Sequence, residues 1–100
     1  MRLTQKGFKE WVMSHSDRQI AGQCRSSTKC ILANYLIEKS GKDWAAVSNG
    51  RYSFDKKWNG FDYTNSKALP VWAKDVICVF DALRPTRVTF GRFKKVMEWV

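Results

Sequence analysis

Two Asn-Gly pairs, at 49–50 and 59–60, constrain the fold of this chain more than any other feature of its sequence. Each lies in a stretch where apolar and polar residues alternate, as they do in a strand with one buried face. Asn-Gly is the strongest short signal for a two-residue hairpin turn, because a type I′ turn requires a positive φ at both central positions. Two such turns predict a three-stranded antiparallel meander with strands at about 44–48, 51–58 and 61–65.

The positions of the two turns also predict the register of the strands, since a two-residue turn pairs the residues on either side of it. The predicted cross-strand pairs are Val47 with Tyr52, Ala45 with Phe54, Trp58 with Phe61, and Lys56 with Tyr63.

One face of the predicted meander is aromatic, and two interpretations of it are open. On an exposed sheet, aromatic rings beside lysine and arginine stack single-stranded bases in several nucleic-acid-binding modules. However, the opposite face is polar, and the apolar stripes of the helices need a surface to cover. We therefore expect the aromatic face to form the core and the polar face to meet solvent. The members of the aromatic face are Ala45, Val47, Tyr52, Phe54, Trp58, Phe61 and Tyr63.

Two predicted helices precede the meander. The first spans 4–15, where apolar residues recur at intervals of three and four. The second spans 29–39, after the capping hydroxyls of residues 26–28 and before Gly41. It is apolar on almost all sides, which predicts a central, buried helix. Residues 17–25 show no clear period and are predicted to form a loop. The stripe of the first helix consists of Phe8, Trp11, Val12 and His15.

Two further helices follow the meander. Pro70 suits the first turn of a third helix over about 70–84, which Pro85 ends. Thr89 caps a fourth helix that runs to the C-terminus. Their expected inward stripes are Leu69, Trp72, Val76, Val79, Phe80 and Leu83 in the third helix, and Phe93, Val96, Met97 and Val100 in the fourth.

This order of elements predicts a single small α+β domain over 1–100, with two helices, a three-stranded antiparallel meander and two helices. One hundred residues are enough for one core but not for two. The sequence shows no signal-peptide segment and no run of about 18 apolar residues, the length that a membrane span needs. The odd number of cysteines, three, indicates reduced thiols. We therefore expect a soluble, cytoplasmic protein.

The candidate catalytic and metal-binding residues match no known pattern. Cys24 and Cys30 are separated by five residues, wider than the spacing of zinc knuckles, and only Cys78 and His15 remain to complete four ligands. A Cys24–Cys30 disulfide is sterically conceivable but disfavoured by a reducing compartment. His15, the only histidine, is expected to be structural or to cap its helix, and a hydrolase that uses it is the remotest alternative. We expect no metal, cofactor or catalytic activity.

Charge is the strongest remaining signal. Eighteen lysine and arginine residues against nine acidic ones give a net charge of +9, which attracts anionic partners. The excess lies in the predicted helical parts: the net charge is +5 over 1–42, +1 over 43–67 and +3 over 68–100. Nucleic acid is the commonest partner of such a surface, and an acidic protein surface or an anionic membrane is the next. Of these we expect nucleic acid or an acidic protein, and no membrane.

Two basic stripes are the candidate contact surfaces. One consists of Arg2, Lys6 and Lys9 on the first helix, and the other lies near the C-terminus. Residues 84–95 hold five cations with no acid among them. On the fourth helix, Arg92, Lys95 and Trp99 recur at i, i+3 and i+7 on the side away from Phe93, so Trp99 is expected to anchor a partner. The alternative is a solvated face whose tryptophan packs on a neighbouring element. The candidate binding residues are Arg2, Lys6, Lys9, Arg84, Arg87, Arg92, Lys94, Lys95 and Trp99.

Four short motifs resemble those of a family of short bacterial and phage proteins. They are Cys30-Ile31-Leu32-Ala33, Leu69-Pro70-Val71-Trp72-Ala73, Asp81-Ala82-Leu83 and Val88-Thr89-Phe90-Gly91. The family pattern is roughly Cys-Pro-Leu-Ala, Leu-Pro-x-Trp-Ala, Asp-x-Leu and Val-Thr-x-Gly, so Ile31 stands where proline is usual. The resemblance covers 24–100. It implies a phage or mobile-element origin and an outline of the fold, but neither an activity nor a site.

Charge and resemblance together predict a non-enzymatic accessory protein that binds DNA, RNA or a ribonucleoprotein complex through its basic helices. Phosphate contacts are expected rather than base reading, because no recognition-helix motif is present. The alternative is a phage-encoded inhibitor that binds a protein of a host defence complex, in the manner of an anti-CRISPR protein.

Overall fold

The computed structural model of the chain describes residues 3–48, 50–54, 66–83 and 86–97, together with the backbone of 56–57 and 60–61. Within these ranges it confirms the predicted α+β class, with four helices and short antiparallel strands. The helices are α1 Gln5–Met13, α2 Ile31–Ser40, α3 Val71–Asp81 and α4 Phe90–Val96. The strands are β1 Ile20–Gln23, β2 Ala46–Ser48, β3 Arg51–Ser53, β4 Lys56–Lys57, β5 Gly60–Phe61, β6 Lys67–Ala68 and β7 Arg87–Thr89.

Local capping sets the ends of the helices. The Thr4 hydroxyl accepts a hydrogen bond from the backbone N–H of Gly7 at 3.1 Å, so α1 begins one residue later than predicted. Cys30, not residues 26–28, caps α2, and Gly41 ends that helix in the left-handed conformation with φ 73°, as predicted. Pro70 is the cap residue of α3 rather than part of its first turn. None of the helices in the described ranges is long and apolar enough to cross a membrane.

Helix α2 is the centre of the core, which confirms the prediction from its all-round apolar sequence. Ile31, Leu32 and Leu36 are fully buried, and each such side chain contributes roughly 1.5–3 kcal/mol through burial. The ring of Phe8 on α1 packs edge-on against that of Tyr35 on α2, with centroids 5.1 Å apart. The same Phe8 ring meets Phe93 on α4 at 6.3 Å, so one aromatic cluster joins three helices.

The strands that flank the first Asn-Gly pair have the predicted register, with Val47 opposite Tyr52, and Gly50 has the expected positive φ, 75°. Both members of that pair are buried, so this part of the aromatic face belongs to the core. The expectation of a solvent-facing polar side is wrong here. Ala46 pairs with Ser53 on the opposite face, and these residues are only 1% and 2% exposed.

The rest of the meander differs from the prediction. The strand that pairs with the free side of β3 is β6, which sets Arg51 opposite Ala68, so the third strand is not 61–65. The Arg51 guanidinium stabilises this pairing, because it donates to the hydroxyl and the carbonyl of Ser66 at 2.6 and 2.7 Å.

Strands β4 and β5 form a separate hairpin in which residue 57 pairs with 60 and residue 56 with 61. This register differs from the predicted one, so the expected Trp58–Phe61 and Lys56–Tyr63 pairs are wrong. The prediction also places Trp58, Phe61 and Tyr63 in the core. Trp58, Tyr63 and the Phe61 side chain lie outside the described residues.

Residues 17–25, predicted as a loop, contain strand β1, which pairs antiparallel with β7. The strand was missed because it is four residues long and has no alternation. Its Gly22 packs directly on the chain that enters α2: a Cβ there would lie 2.7 Å from the backbone nitrogen of Ile31. Only glycine fits this approach.

Helix α4 faces the core with Phe90 and Phe93, which are buried, and Met97 after its end packs against the same cluster. Val96 was predicted to point inward and is 42% exposed, so that prediction is wrong. The inward stripe consists of Phe90, Phe93 and Met97, at i, i+3 and i+7, and Val96 lies beside it. The predicted continuation of the helix to Val100 lies outside the described residues.

Candidate functional site

The β1–β7 pair positions α4, which carries most of the predicted binding residues. Beyond the pair, the backbone N–H of Phe90 donates to the carbonyl of Gln19 at 2.9 Å, and that of Gly91 donates to the carbonyl of Asp17 at 3.0 Å. Gly91 makes this contact possible, because a Cβ there would lie 2.8 Å from the Cβ of Asp17. The first turn of α4 is therefore held tightly against the chain that follows α1.

Lys94, a predicted contact residue, is engaged within the molecule. Its Nζ lies 2.8 Å from Oδ1 of Asp17 and donates to the carbonyl of His15 at 2.9 Å. The hydrogen bond and the charge of Lys94 hold the pKa of Asp17 below its usual range, with a smaller effect from Lys95. Lys94 therefore anchors α4 and neutralises the acid beside it.

Arg92 and Lys95 line one groove on the outer side of α4, which we call the α4 groove. Both are exposed, and neither forms an ion pair with any residue in the described part of the chain. Since Lys94 neutralises Asp17, the two remaining cations make the groove positive. Val96 also lines it, contrary to its predicted inward position. The groove has a volume of about 540 Å³ and is lined by Asp17, Leu83, Thr89, Gly91, Arg92, Lys95 and Val96.

The other predicted residues lie apart from this groove or outside the described ranges. Arg87 is exposed on β7, three residues before α4 begins. On α1, Lys6 is exposed, whereas Lys9 is half-buried and engaged in an interaction. Arg2, Arg84 and Trp99 lie outside the described residues, so their roles stay predictions.

His15 joins three helices. Its Nδ1 lies 2.6 Å from the carbonyl oxygen of Trp11 and therefore donates to it, and its ring stacks on Phe90 with centroids 4.4 Å apart. Nε2 lies 3.8 Å from Oε2 of Glu38, which also accepts a hydrogen bond from the Trp11 indole at 2.8 Å. The Ser14 hydroxyl near Nδ1 donates to the same Trp11 carbonyl. These contacts give the imidazole a structural role between α1, α2 and α4.

The three cysteines are free thiols with different environments. The Cys24 thiol donates to the carbonyl of Phe80 at 3.0 Å. Cys30 is buried and caps α2, and its burial raises its pKa to about 11. Cys78 is exposed on α3. In the ranges that the structure describes, no three histidine, cysteine or acidic side chains come together in a way that could hold a metal ion.

A second concavity, the α3 pocket, was missed by sequence reasoning. It lies between residues 24–30, the β2–β3 turn and α3, and has a volume of about 600 Å³. The sequence held one signal of this pocket. Four α3 residues at i, i+3, i+4 and i+7 form a stripe beside the core stripe: Lys74, Ile77, Cys78 and Asp81. The full lining is Arg25, Ser26, Ser27, Cys30, Val47, Ser48, Gly50, Leu69, Lys74, Ile77, Cys78 and Asp81.

Comparison of the chain with protein-family models, with curated proteins and with solved structures finds no match.

Proposed function

We propose that this protein binds the phosphate backbone of nucleic acid through the α4 groove. The observation that carries the proposal is the pairing of charges there. Among the described residues that line the groove, Asp17 is the only acid, and Lys94 pairs with it. Arg92 and Lys95 are left exposed without an ion-pair partner in the same part of the chain. Two cations one helical turn apart on one face of α4 provide adjacent donors for phosphate oxygens.

The charge of the whole chain supports the same partner. A net charge of +9 favours encounter with a polyanion, and neutralised phosphates release counterions as the complex forms. Arg87, exposed on the strand that leads into α4, would extend the contact beyond the groove. Backbone binding of this kind does not depend on base sequence. It would suit an accessory protein of the phage or mobile-element origin that the sequence resemblance implies.

The experiment is a fluorescence anisotropy titration of labelled single-stranded DNA, duplex DNA and RNA with the protein. It is repeated over a salt series from about 50 to about 200 mM, where phosphate-driven affinity falls steeply. We expect binding at low salt to at least one of the three polymers, and its progressive loss as salt rises. The double variant R92Q/K95Q should bind about tenfold more weakly.

The matched control is K39Q/K67Q, which removes the same number of charges from exposed lysines on α2 and β6. This variant should retain most of the affinity. Absence of binding at low salt, an affinity insensitive to salt, or equal losses in the two double variants would contradict the proposal. A protein partner that the chain still captures from host lysate after nuclease treatment would instead support the alternative, an inhibitor of a host defence complex.

A further inference from the structure

We infer that the α3 pocket is a binding site for a small amphipathic anion, a compound with an apolar body and one carboxylate or phosphate group. The site is separate from the α4 groove and does not depend on the binding of nucleic acid. Its volume of about 600 Å³ lies within the usual range for small-molecule sites.

The floor of the pocket is apolar. Val47 and Leu69 are 7% and 5% exposed, and Cys30 beside them is 3% exposed. Ile77 completes this surface from α3. The Cys30 thiol remains protonated near neutral pH because burial raises its pKa to about 11, so it adds no charge to the floor. An apolar ligand body that covered this surface would gain free energy by excluding water from it.

The rim carries cations. Lys74 and Arg25 are exposed, and neither side chain forms an ion pair with another residue that the structure describes. Lys74 lies at the β2–β3 turn, where its Cε is 3.1 Å from the position that a Cβ on Gly50 would take. Asp81, the one acid among the described residues of the lining, lies two helical turns from Lys74, about 10 Å along α3. The Lys74 end of the pocket is therefore the place for an anionic group.

The walls of the pocket are held in place by main-chain hydrogen bonds. The Val47 N–H donates to the carbonyl of Ser27 at 2.7 Å, which ties β2 to the loop before α2. The Leu69 N–H donates to the carbonyl of Gly50 at 2.8 Å, which ties the chain before α3 to the turn. A pocket assembled in this way needs little reorganisation when a ligand enters, so less of the binding energy is lost.

Arg25 adds an unusual backbone conformation to the rim. Its φ of 57° is in the left-handed region, which non-glycine residues adopt at a cost. The backbone N–H of Arg25 donates to Oδ1 of Asp81 at 2.9 Å, and this contact holds the conformation. The interaction satisfies one oxygen of the acid and ties residue 25 to α3. Strained residues of this kind are concentrated at ligand sites.

Cys78 provides a direct readout, because it is exposed and lines the pocket. The probes are naphthylacetate and naphthyl phosphate, with naphthylacetamide as the neutral compound of the same shape. The rate of Cys78 alkylation by iodoacetamide is measured by peptide mass spectrometry as each probe is titrated. We expect saturable protection by an anionic probe, with the amide binding about fivefold more weakly, the loss typical of one ion pair near the surface. The preferred anion tells whether the natural head group is a carboxylate or a phosphate.

Two variants test the assignment to Lys74. Lys74→Gln should reduce the affinity for the anionic probes to that for the amide and leave the affinity for the amide unchanged. Lys39→Gln removes the same charge from an exposed position on α2 and should change neither. Amide-proton chemical shifts in NMR spectra check that both variants are folded. Absence of saturable protection, equal affinity for acid and amide, or equal effects of the two variants would overturn the inference.

Discussion

The two concave surfaces of this molecule are built in different ways. The α4 groove lies on one short helix, and its positive charge follows from the Asp17–Lys94 pair, which leaves Arg92 and Lys95 in excess. The α3 pocket is assembled from three separate segments and has an apolar floor, with cations only at its rim. The groove offers charge with little buried surface, which suits an extended polyanion. The pocket offers buried surface with little charge, which suits a small amphipathic molecule.

The comparison shows why net charge alone does not locate function in a basic protein. Cations occur at both surfaces, but their roles depend on what lies beneath them. Beneath Arg92 and Lys95 is the first turn of a helix held against Asp17 by Gly91. Beneath Lys74 is the apolar floor of the pocket. The two surfaces should therefore respond differently to substitution, in stability and in reactivity.

The largest effect is expected for Gly22→Ala, which acts on the pocket side. A Cβ at this position would lie 2.7 Å from both the nitrogen of Ile31 and the carbonyl oxygen of Lys29, and backbone atoms cannot move aside cheaply. We expect a loss of about 3 kcal/mol in the free energy of unfolding, measured by urea titration with circular dichroism.

The control for this substitution is Gly41→Ala. Gly41 has a φ of 73° but nothing within 4 Å of an added Cβ, so only left-handed strain of about 1 kcal/mol is expected. Equal losses in the two variants would show that the close approach of β1 to the start of α2 does not limit stability.

Sequence reasoning succeeded where the determining contacts are local. The apolar sequence of α2 and the first Asn-Gly turn each act over a few residues, and both were predicted correctly. The β1–β7 and β3–β6 pairs join short strands distant in sequence, and in such strands the pattern of side chains is too brief to specify a partner. The Lys94–Asp17 pair spans 77 positions, so the engagement of Lys94 could not be read from a run of cations. The α3 pocket is likewise made from segments distant in sequence, so the stripe on α3 was its only signal in the sequence.

The second-largest loss of stability is expected for Gly50→Ala, at the rim of the pocket. Because its φ is 75°, alanine should cost about 1–2 kcal/mol, close to the loss at Gly41, since the nearest atoms belong to the flexible end of Lys74. The displaced ammonium should weaken the binding of naphthylacetate but not that of naphthylacetamide. A variant that loses stability while keeping the preference for the anion would show that the position of Lys74 does not matter.

A smaller, pH-dependent effect is expected for Asp17→Asn, on the groove side. The pKa of Asp17 is lowered in the folded protein, so its contribution to stability is present above its ordinary pKa of about 3.8 and is lost as pH falls through the folded value. The wild type should therefore be more stable than the variant at neutral pH, and the difference should vanish in acid. Urea midpoints over an acid pH series measure this; a difference that grew on acidification would contradict the assigned ion pair.

The fourth prediction involves no change in stability. Cys30 is buried with a pKa raised to about 11, whereas Cys78 is exposed, so thiolate is scarce at Cys30 near neutral pH. Iodoacetamide should modify Cys78 at least about a hundredfold faster than Cys30 in the folded protein. In denaturant the two rates should become similar. Comparable rates in the folded state would show that the floor of the pocket is open to solvent.

The central claim, that Arg92 and Lys95 contact phosphates, is tested most directly by the salt dependence of binding to the polymer, among the three, that the protein binds most tightly. Each phosphate contact contributes about 0.7 for a single strand, or about 0.9 for a DNA duplex, to the slope of log affinity against log salt concentration. The slope for R92Q/K95Q should therefore be shallower than that of the wild type by about 1.4 for a single strand or about 1.8 for a duplex, while K39Q/K67Q should leave it nearly unchanged. A slope for R92Q/K95Q equal to that of the wild type would show that the α4 groove does not bind the backbone.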